Sequence, residues 1–462
     1  MILLAGIVFF TCVISCNKKD KIDTNPALTL SFSMDTVFFD TIFTTIGSIT
    51  KKLHVYNNND NKVMVSSIKL AGGSQSFFKI NIDGVPATSI SDVEIPGHDS
   101  IFIFIRVTID PNYKYNPLIV TDSLLFQTNG NLQNVKLIAW GQDANFYKNK
   151  TLKGAIVWDS LIPHVIFGFV RVDTGATLTL MPGTKVYFHK TAYFAVSSQA
   201  TLKLAGTLNH PVRFQGDRLD PYYKDLPGQW DGIYLEKGSR QNEIDYAIIK
   251  NGSFGIFIDT ISSPTVPTLN INNTIIQNMA GTGIYAYASN VISTNCVIGD
   301  CGNAALELAF GGSYDFRQLT IGNFWGGSVR FSPSLRISNY VYDTSGIKIP
   351  NSLTKAYFGN CIIYGNEDEE IMLDSLEIAQ FSYTFDHVLL KTNKSISDPL
   401  HFPECFKNED PRFVDVMNFN YAIDSISPAI KKGKLMDVPF DINGVDRGDT
   451  PDLGAYQYVK KN

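Results

Sequence analysis

The sequence has no excess of basic residues: its 39 Lys and Arg are outnumbered by 44 Asp and Glu, for a net charge of −5. Nucleic-acid binding needs a basic patch, so this composition argues against a nucleic-acid partner. Histidine is scarce, with 7 scattered residues, and no HExxH motif or metal-site spacing is present. We therefore predict no metal site and no cofactor.

Long apolar runs are also missing, except at the start of the chain. Residues 1–15 are almost wholly apolar, and polar residues follow from Asn17. A run of about fifteen residues is too short to span a bilayer comfortably but suits a signal peptide. Although no Lys or Arg precedes the run, Val13-Ile14-Ser15-Cys16 resembles the bacterial lipobox.

The lipobox resemblance implies that Cys16 becomes the first residue of the mature protein and is acylated. More than one acyl chain would then anchor the protein to a membrane. We expect a lipoprotein of a Gram-negative outer membrane, facing the periplasm or the cell surface, with residues 16–26 as a tether. The alternative is an ordinary cleaved signal, which would leave Cys16 without a role.

A short phrase recurs between Ile244 and Phe331: two apolar residues, a small or polar residue, then Asn or Asp. Each copy is followed by a second phrase of alternating apolar residues, which has the period of a strand with one buried face. A period of roughly 20–25 residues built from such strands predicts a solenoid with two strands per coil. The repeated Asn or Asp positions are Asn251, Asn278, Asp300 and Asn323, with a later copy at Asn366.

These phrases, together with Gly228-Gln229-Trp230-Asp231-Gly232, resemble right-handed parallel β-helix proteins of the pectate-lyase-like superfamily. The resemblance implies a β-helix over residues 152–395, with the Asn and Asp positions stacked in a ladder at one turn. Cys296 and Cys361 each precede an apolar pair, so we expect them inside the coils, about 14 Å apart and too distant for a disulfide.

The sequence patterns of residues 27–145 and 396–462 differ from the repeats between them. Residues 27–145 contain longer alternating runs, such as Ile101 to Val107, separated by turn signals such as Asn57 to Asn61. About seven strands in this length predict a β-sandwich, which resembles bacterial immunoglobulin-like domains of the Hydin type and is interpreted as a spacer. Residues 396–462 resemble the closing segment of bacterial surface β-helix proteins, which implies a cap over the last coil.

The predicted fold is therefore all-β: an N-terminal immunoglobulin-like β-sandwich followed by a right-handed parallel β-helix with a C-terminal cap. Stacked coils place equivalent residues in rows. If Ile256, Ile284, Leu306 and Val329 point inward, the next residues point outward, flanked by Asp259 and Tyr287. The outward row is then Phe257, Tyr285, Glu307 and Arg330.

Aromatic rings beside charged groups can stack on sugar rings and hydrogen-bond sugar hydroxyls, so we predict a glycan-binding face at this row. Two alternatives stay open. Phe257 and Tyr285 could pack under a loop, and Glu307 with Arg330 could be a surface ion pair of little energetic weight.

Catalysis has weaker support in the sequence. Glycoside hydrolysis needs two carboxyl groups about 5–9.5 Å apart, and Asp259 and Glu307 are expected two coils apart, at about 10 Å. A lyase of the resembled superfamily would need a basic residue, usually with clustered calcium ligands. The acidic run Glu367 to Glu370 is interpreted as a solvated loop instead, and no catalytic residue is nominated.

We predict a cell-envelope lipoprotein without chemistry of its own, which binds a polysaccharide or acts as an adhesive scaffold for a surface protein. The alternative function is a polysaccharide lyase or glycoside hydrolase acting in the groove of the β-helix.

Overall fold

The computed structural model describes residues 21–111, 118–259 and 266–460. The chain forms two units, Met1–Asp143 and Ala144–Asn462. The predicted signal peptide and Cys16 lie outside the described residues. Within them, the elements are strands apart from the short 3-10 helices Gly73–Gln75 and Val416–Asn418.

The first unit contains two five-stranded sheets whose inner faces share one hydrophobic core. Alternation decides which residues enter this core, as in strand Asp99–Val107, where Ile101, Ile103 and Ile105 are buried. The arrangement is a β-sandwich, and its closer likeness to immunoglobulin domains stays a prediction. In spatial order, one sheet contains Ser31–Phe32, Lys51–Asn57, Asp99–Val107, Phe78–Ile82 and Val85–Pro86. The other contains Thr36–Phe43, Asn131–Gln142, Leu118–Thr128, Val63–Leu70 and Ser89–Ile95.

The second unit is built on one 25-stranded sheet, wound so that each strand pairs in parallel with the equivalent strand of the next coil. This is the predicted β-helix, but each coil has three strands, one on each of three faces, rather than the predicted two. The first face contains Tyr193–Val196, Ile233–Leu235, Ile256–Ile258, Leu335–Ser338 and Ile371–Asp374, with the first parts of Ile284–Thr294 and Leu306–Arg317.

The second parts of those two long strands belong to the second face. Its other strands are Ala155–Trp158, Thr177–Leu180, Thr201–Ala205, Asn242–Asp245, Leu269–Asn272, Leu353–Gly359 and Thr384–Asp386. The third face contains Lys185–Phe188, Val212–Gly216, Ala247–Lys250, Ile275–Met279, Val297–Cys301, Thr320–Asn323, Ile362–Gly365, Leu389–Leu390 and Phe406–Lys407. Two further strands, Asn145–Leu152 and His164–Val172, each pass from the third face to the first. The first coil therefore starts at Asn145 rather than at the expected Leu152.

Like side chains stack on like inside the β-helix because neighbouring coils are in register. Phe316, Phe358 and Phe385 form one such column, with ring centroids 5.1 and 5.0 Å apart. Cys296 and Cys361 are buried free thiols in this interior, as expected.

Asparagine side chains also stack where the chain turns a corner between faces. Asn251 and Asn278 have positive φ angles of 64° and 58°, a conformation that Asn tolerates better than most residues. The Asn278 amide donates to Asn251 Oδ1 at 2.8 Å, which gives the first rung of the ladder. At the next coil Asp300 occupies the same corner and instead accepts a hydrogen bond from the Tyr421 hydroxyl.

The C-terminal tail does not only close the last coil. Residues 396–407 continue that coil, and Phe402 stacks on Phe385 at 5.5 Å. Residues from about 408 onward lie along the outer side of part of the third face, where outward residues such as Val297 and Ile362 are apolar. Three buried residues of the tail, Ile423, Ala429 and Leu453, pack against Ile362 and Leu389 there. A second apolar layer therefore covers this part of the third face from outside.

Two short hairpins complete the unit. One pairs Tyr340–Tyr342 with Lys348–Pro350 after the first-face strand Leu335–Ser338. The other pairs Phe413–Asp415 with Asn420–Ile423 within the tail. The first of these hairpins forms a wall of the candidate site.

Candidate functional site

The first face presents a continuous row of aromatic rings on its outer side. In strand Ile256–Ile258 both isoleucines are buried, so Phe257 must point outward. The register pairs Phe257 with Tyr234 in the preceding coil and with Tyr285 in the following coil. We call the row the aromatic strip, and its members are Phe169, Tyr193, Tyr234, Phe257 and Tyr285.

Each ring of the aromatic strip contacts the next. Centroid separations are 5.6 Å from Phe169 to Tyr193 and 5.8 Å from Tyr193 to Tyr234. They are 5.8 Å from Tyr234 to Phe257 and 5.1 Å from Phe257 to Tyr285, and the planes of the last pair differ by only 6°. All five side chains are partly exposed. The strip therefore offers ring surface to a ligand over several coils.

The strip ends at an ion pair. Glu307 follows Tyr285 in register, and Arg336 follows Glu307, with 3.1 Å between Arg336 Nη1 and Glu307 Oε1. These residues line a cleft of about 290 Å³, whose opposite wall is the hairpin residues Tyr340 and Tyr342. The strip thus passes from apolar rings to a charged pocket.

Burial sets the protonation of this pocket. It raises the pKa of Glu307, although the charge of Arg336 opposes the rise. Burial, followed by the charge of Glu307, also raises the pKa of Tyr285 to about 12. Tyr285 therefore keeps its proton at physiological pH and can donate a hydrogen bond to a ligand.

Two predicted residues lie beside the strip rather than in it. Tyr287 packs against the ring of Phe310, with centroids 5.0 Å apart. Its pKa is raised by burial and then by the charge of Asp259, which therefore lies near it. Asp259 and Tyr287 flank the outward row, as the alternation predicted.

The predicted placement of Arg330 on this surface is wrong. Residues 324–334 form an excursion between two coils, so Ser328 to Phe331 is not a strand. The Arg330 side chain is 0% exposed, and its Nη2 lies 2.6 Å from Oε1 of Glu370, which is equally buried. Val329, expected inside, is 73% exposed.

The buried Arg330–Glu370 pair corrects a second interpretation. The run from Glu367 to Glu370 was expected to be a solvated loop, but Glu370 Oε2 also accepts hydrogen bonds from the backbone and hydroxyl of Ser334. These bonds satisfy a carboxylate that would otherwise be costly to bury. The pair fastens the excursion to the next coil.

Sequence reasoning missed Arg336, Tyr234 and the hairpin tyrosines. Arg336 lies between buried Leu335 and Ile337, and Tyr234 lies between buried Ile233 and Leu235. The same alternation that identified Phe257 could have found both. Tyr340 and Tyr342 carry no such signal, because their strand lies outside the coils.

The described residues contain neither a cluster of metal ligands nor a helix that could span a membrane. Across 21–111, 118–259 and 266–460, no three His, Cys, Asp or Glu side chains cluster as metal ligands would. In the same ranges, no helix is long and apolar enough to cross a membrane.

A match to a family model agrees with this architecture. A family model described as "Right handed beta helix region" matches residues 222–321. No curated protein matches the chain. Pectate lyase Pel9A is similar over 69% of this chain and 88% of that chain, at 13% identity and a TM-score of 0.32.

Two glycoside hydrolases are also among the similar solved structures. The GH87 alpha-1,3-glucanase from Streptomyces thermodiastaticus is 10% identical over 76% of this chain and 64% of that catalytic unit, with a TM-score of 0.25. A family 123 enzyme from Clostridium perfringens is 12% identical, with a TM-score of 0.19, and the match spans 26% of this chain and only 30% of the enzyme. At such low identities and TM-scores these likenesses assign no activity. The chain contains a right-handed β-helix region.

Proposed function

We propose that this protein binds a glycan along the aromatic strip of its β-helix and performs no chemistry on it. The observation that carries the proposal is the unbroken sequence of partly exposed rings from Phe169 to Tyr285, each within 5.1–5.8 Å of the next. Aromatic faces stack on the apolar faces of sugar rings. The Glu307–Arg336 pair at the end of the strip supplies donors and acceptors for sugar hydroxyls.

We further propose that the protein is a lipoprotein of the cell envelope. Residues 1–15 would act as its signal peptide and Cys16 as its lipidated residue, with the β-sandwich as a spacer between membrane and β-helix. A surface protein is the other partner class that such a scaffold would suit. Metabolic labelling with an alkyne fatty acid tests the anchor: the label should be lost in Cys16→Ser, and equal labelling of that variant would exclude lipidation at this residue.

Glycan binding is tested by titrating the full chain with neutral oligosaccharides and recording heat and tyrosine fluorescence. Tyr285→Ala removes a ring from the strip, and because an aromatic contact contributes about 0.5–1.5 kcal/mol, binding should weaken about 2- to 10-fold. Tyr222→Ala is the matched control, since Tyr222 is 75% exposed and lies outside the strip. Equal affinities of both variants and the unchanged protein would refute binding at the strip.

The enzyme alternative rests on Glu307, whose pKa burial raises, as a proton donor would require. A hydrolase would also need a second carboxyl group within about 9.5 Å of Glu307. Asp259 lies two coils away, at about 10 Å by strand spacing. Asp374 lines the same cleft as Glu307 and accepts a hydrogen bond from the Tyr340 hydroxyl at 2.5 Å, so it is the carboxyl group that the enzyme alternative would use. Reducing-end and unsaturated-uronate assays on the same glycans decide the matter. Product formation that disappears in Glu307→Gln would make the protein an enzyme.

A further inference from the structure

A second cleft lies between the second face of the β-helix and the C-terminal tail, on coils that follow those of the aromatic strip. Its volume is about 620 Å³, within the ~300–1,000 Å³ range of small-molecule sites. We call it the tail cleft. The second face contributes Asp315, Arg317, Lys355 and Tyr357, and the tail contributes Lys434, Leu435, Met436 and Asp437.

The register of three coils positions these side chains. Asp315 pairs with Tyr357 across neighbouring coils, and Arg317 pairs with Gly359, which in turn pairs with Asp386. A Cβ at Gly359 would lie 2.5 Å from Met436 Cε and 2.9 Å from the Tyr357 ring. Because Gly359 has no side chain, the Tyr357 ring and Met436 of the tail can pack over it.

Two carboxyl groups bind the side chains that line the tail cleft, and one of them, Asp315, lines it as well. Asp315 accepts two hydrogen bonds from Arg317, at 2.9 and 3.1 Å, and one from Lys355 at 2.6 Å. Asp386 accepts from the Tyr357 hydroxyl at 2.8 Å and from the Lys434 ammonium. A further contact of 2.8 Å joins Asp386 Oδ1 to His387 Nδ1.

Cationic groups form the rim. The side chains of Arg317, Lys355 and Lys434 are 36%, 49% and 42% exposed, whereas those of Asp315 and Asp386 are only 12% and 10% exposed. Burial opposes ionisation of these carboxyl groups, but the hydrogen bonds from their cationic partners outweigh it and lower the pKa of each. The acids are therefore charged at neutral pH and hold the cations in place.

The cations that line the cleft have more donors than their bonds to the acids use. An ammonium has three N–H groups and a guanidinium five. Among the described residues, Lys355 uses one of its N–H groups on Asp315, and Arg317 uses two of its five. Charge-assisted bonds of this kind are the strong ones available to an oxyanion.

Two features narrow the ligand further. Lys355 Nζ and Lys434 Nζ lie 5.6 and 6.0 Å from the centroid of the Tyr357 ring, so an anion held by them lies beside an aromatic ring. Asp437 is exposed at the same cleft. Its carboxylate accepts hydrogen bonds but donates none, so it suits a ligand that has hydroxyl groups. A ligand that fits has an oxyanion, a flat apolar face and hydroxyl groups.

We propose that the tail cleft is a second binding site, which takes an acidic saccharide through its carboxylate or sulfate group. Arg317, Lys355 and Lys434 bind the oxyanion, Tyr357 lies beside the sugar ring, and Asp437 accepts from its hydroxyl groups. This site is separate from the aromatic strip and does not depend on it.

Calorimetric titration of the full chain with trigalacturonate, glucose 6-sulfate and maltotriose tests the proposal. We expect heat from at least one acidic probe, whose binding weakens at higher salt. Maltotriose has no oxyanion, so any binding of it, as at the aromatic strip, should not depend on salt in this way. Binding of one acidic probe alone identifies the oxyanion as carboxylate or sulfate. Absence of binding by both acidic probes, or binding of an acidic probe that salt weakens no more than binding of maltotriose, overturns the proposal.

Lys355→Gln should weaken binding of the acidic probe about 10-fold or more, since a hydrogen bond to a charged group contributes about 1.5–3 kcal/mol. Lys203→Gln is its matched control: Lys203 lies on the same face and is 3.1 Å from Glu243, far from the cleft. Equal loss in both variants, or none in Lys355→Gln, would overturn the assignment. Tyr285→Ala, which changes the aromatic strip, should leave the affinity for the acidic probe unchanged. The two variants therefore test the tail cleft and the strip separately.

Discussion

Asp300 makes the stability of the β-helix depend on pH in a direction opposite to that of most carboxyl groups. It occupies a corner where the two preceding coils have Asn251 and Asn278, and it is only 5% exposed. Burial raises its pKa from the ordinary 3.8 to about 7, although the hydrogen bond from Tyr421 opposes the rise. Substitution by Asn would restore the residue type of the ladder without a titratable group.

The size and sign of the effect follow from proton linkage. Between pH 3.8 and about 7, folded Asp300 is protonated while the unfolded carboxyl group is ionised, so the folded state binds more protons and stability falls as pH rises. One pKa unit is worth about 1.4 kcal/mol, so the loss approaches about 4 kcal/mol by pH 8. Below about pH 4 the contribution is fully present.

We therefore expect Asp300→Asn to equal the unchanged protein near pH 4 and to exceed its stability at pH 8 by up to about 4 kcal/mol. Urea unfolding of the full chain at both pH values, followed by circular dichroism, measures the difference. Asp368→Asn is the control, because Asp368 is exposed and its loss changes the net charge equally. If Asp300→Asn is instead less stable at pH 8, the bond from Tyr421 stabilises an ionised Asp300, and the reasoning is refuted.

Two further predictions concern how the coils and the tail are held. Glu370→Gln should lower the free energy of unfolding by about 3–5 kcal/mol, because it leaves Arg330 buried without its counter-charge; an unchanged denaturation midpoint would contradict this. Gly322→Ala should cost about 1–3 kcal/mol, since its Cβ would lie 2.3 Å from the Tyr421 ring. Gly326→Ala, with nothing within 4 Å of the added Cβ, is the control and should leave the free energy of unfolding unchanged in the same urea experiments.

Sequence periodicity predicted the outward row correctly as far as Glu307. Up to that point each coil repeats the same phrase, and alternation alone decides which residue faces out. After Asn323 two similar phrases compete, Ser328 to Phe331 and Leu335 to Ser338. The choice between them depends on Glu370, which is 40 residues from Arg330 in the chain. Local pattern contains no information about such a partner.

The tail cleft could not have been predicted for the same reason. It forms only because Lys434 reaches Asp386, 48 residues earlier, and because the tail crosses the coil that contains Tyr357. The closing segment was recognisable from its phrases, yet its course along the third face depends on complementary apolar surfaces. These surfaces appear only when the coils have stacked.

The course of the tail also bears on the aromatic strip. On the third face, outward apolar residues such as Val297 and Ile362 are covered by the tail and are at most 1% exposed. On the first face, Tyr234, Phe257 and Tyr285 occupy equivalent outward positions, yet they stay partly exposed in the described structure. The chain thus buries one outer apolar surface under its own tail and leaves the other accessible. Rings needed only for packing gain most from full burial. Their partial exposure in a continuous row therefore favours a surface that binds a ligand over one that merely packs.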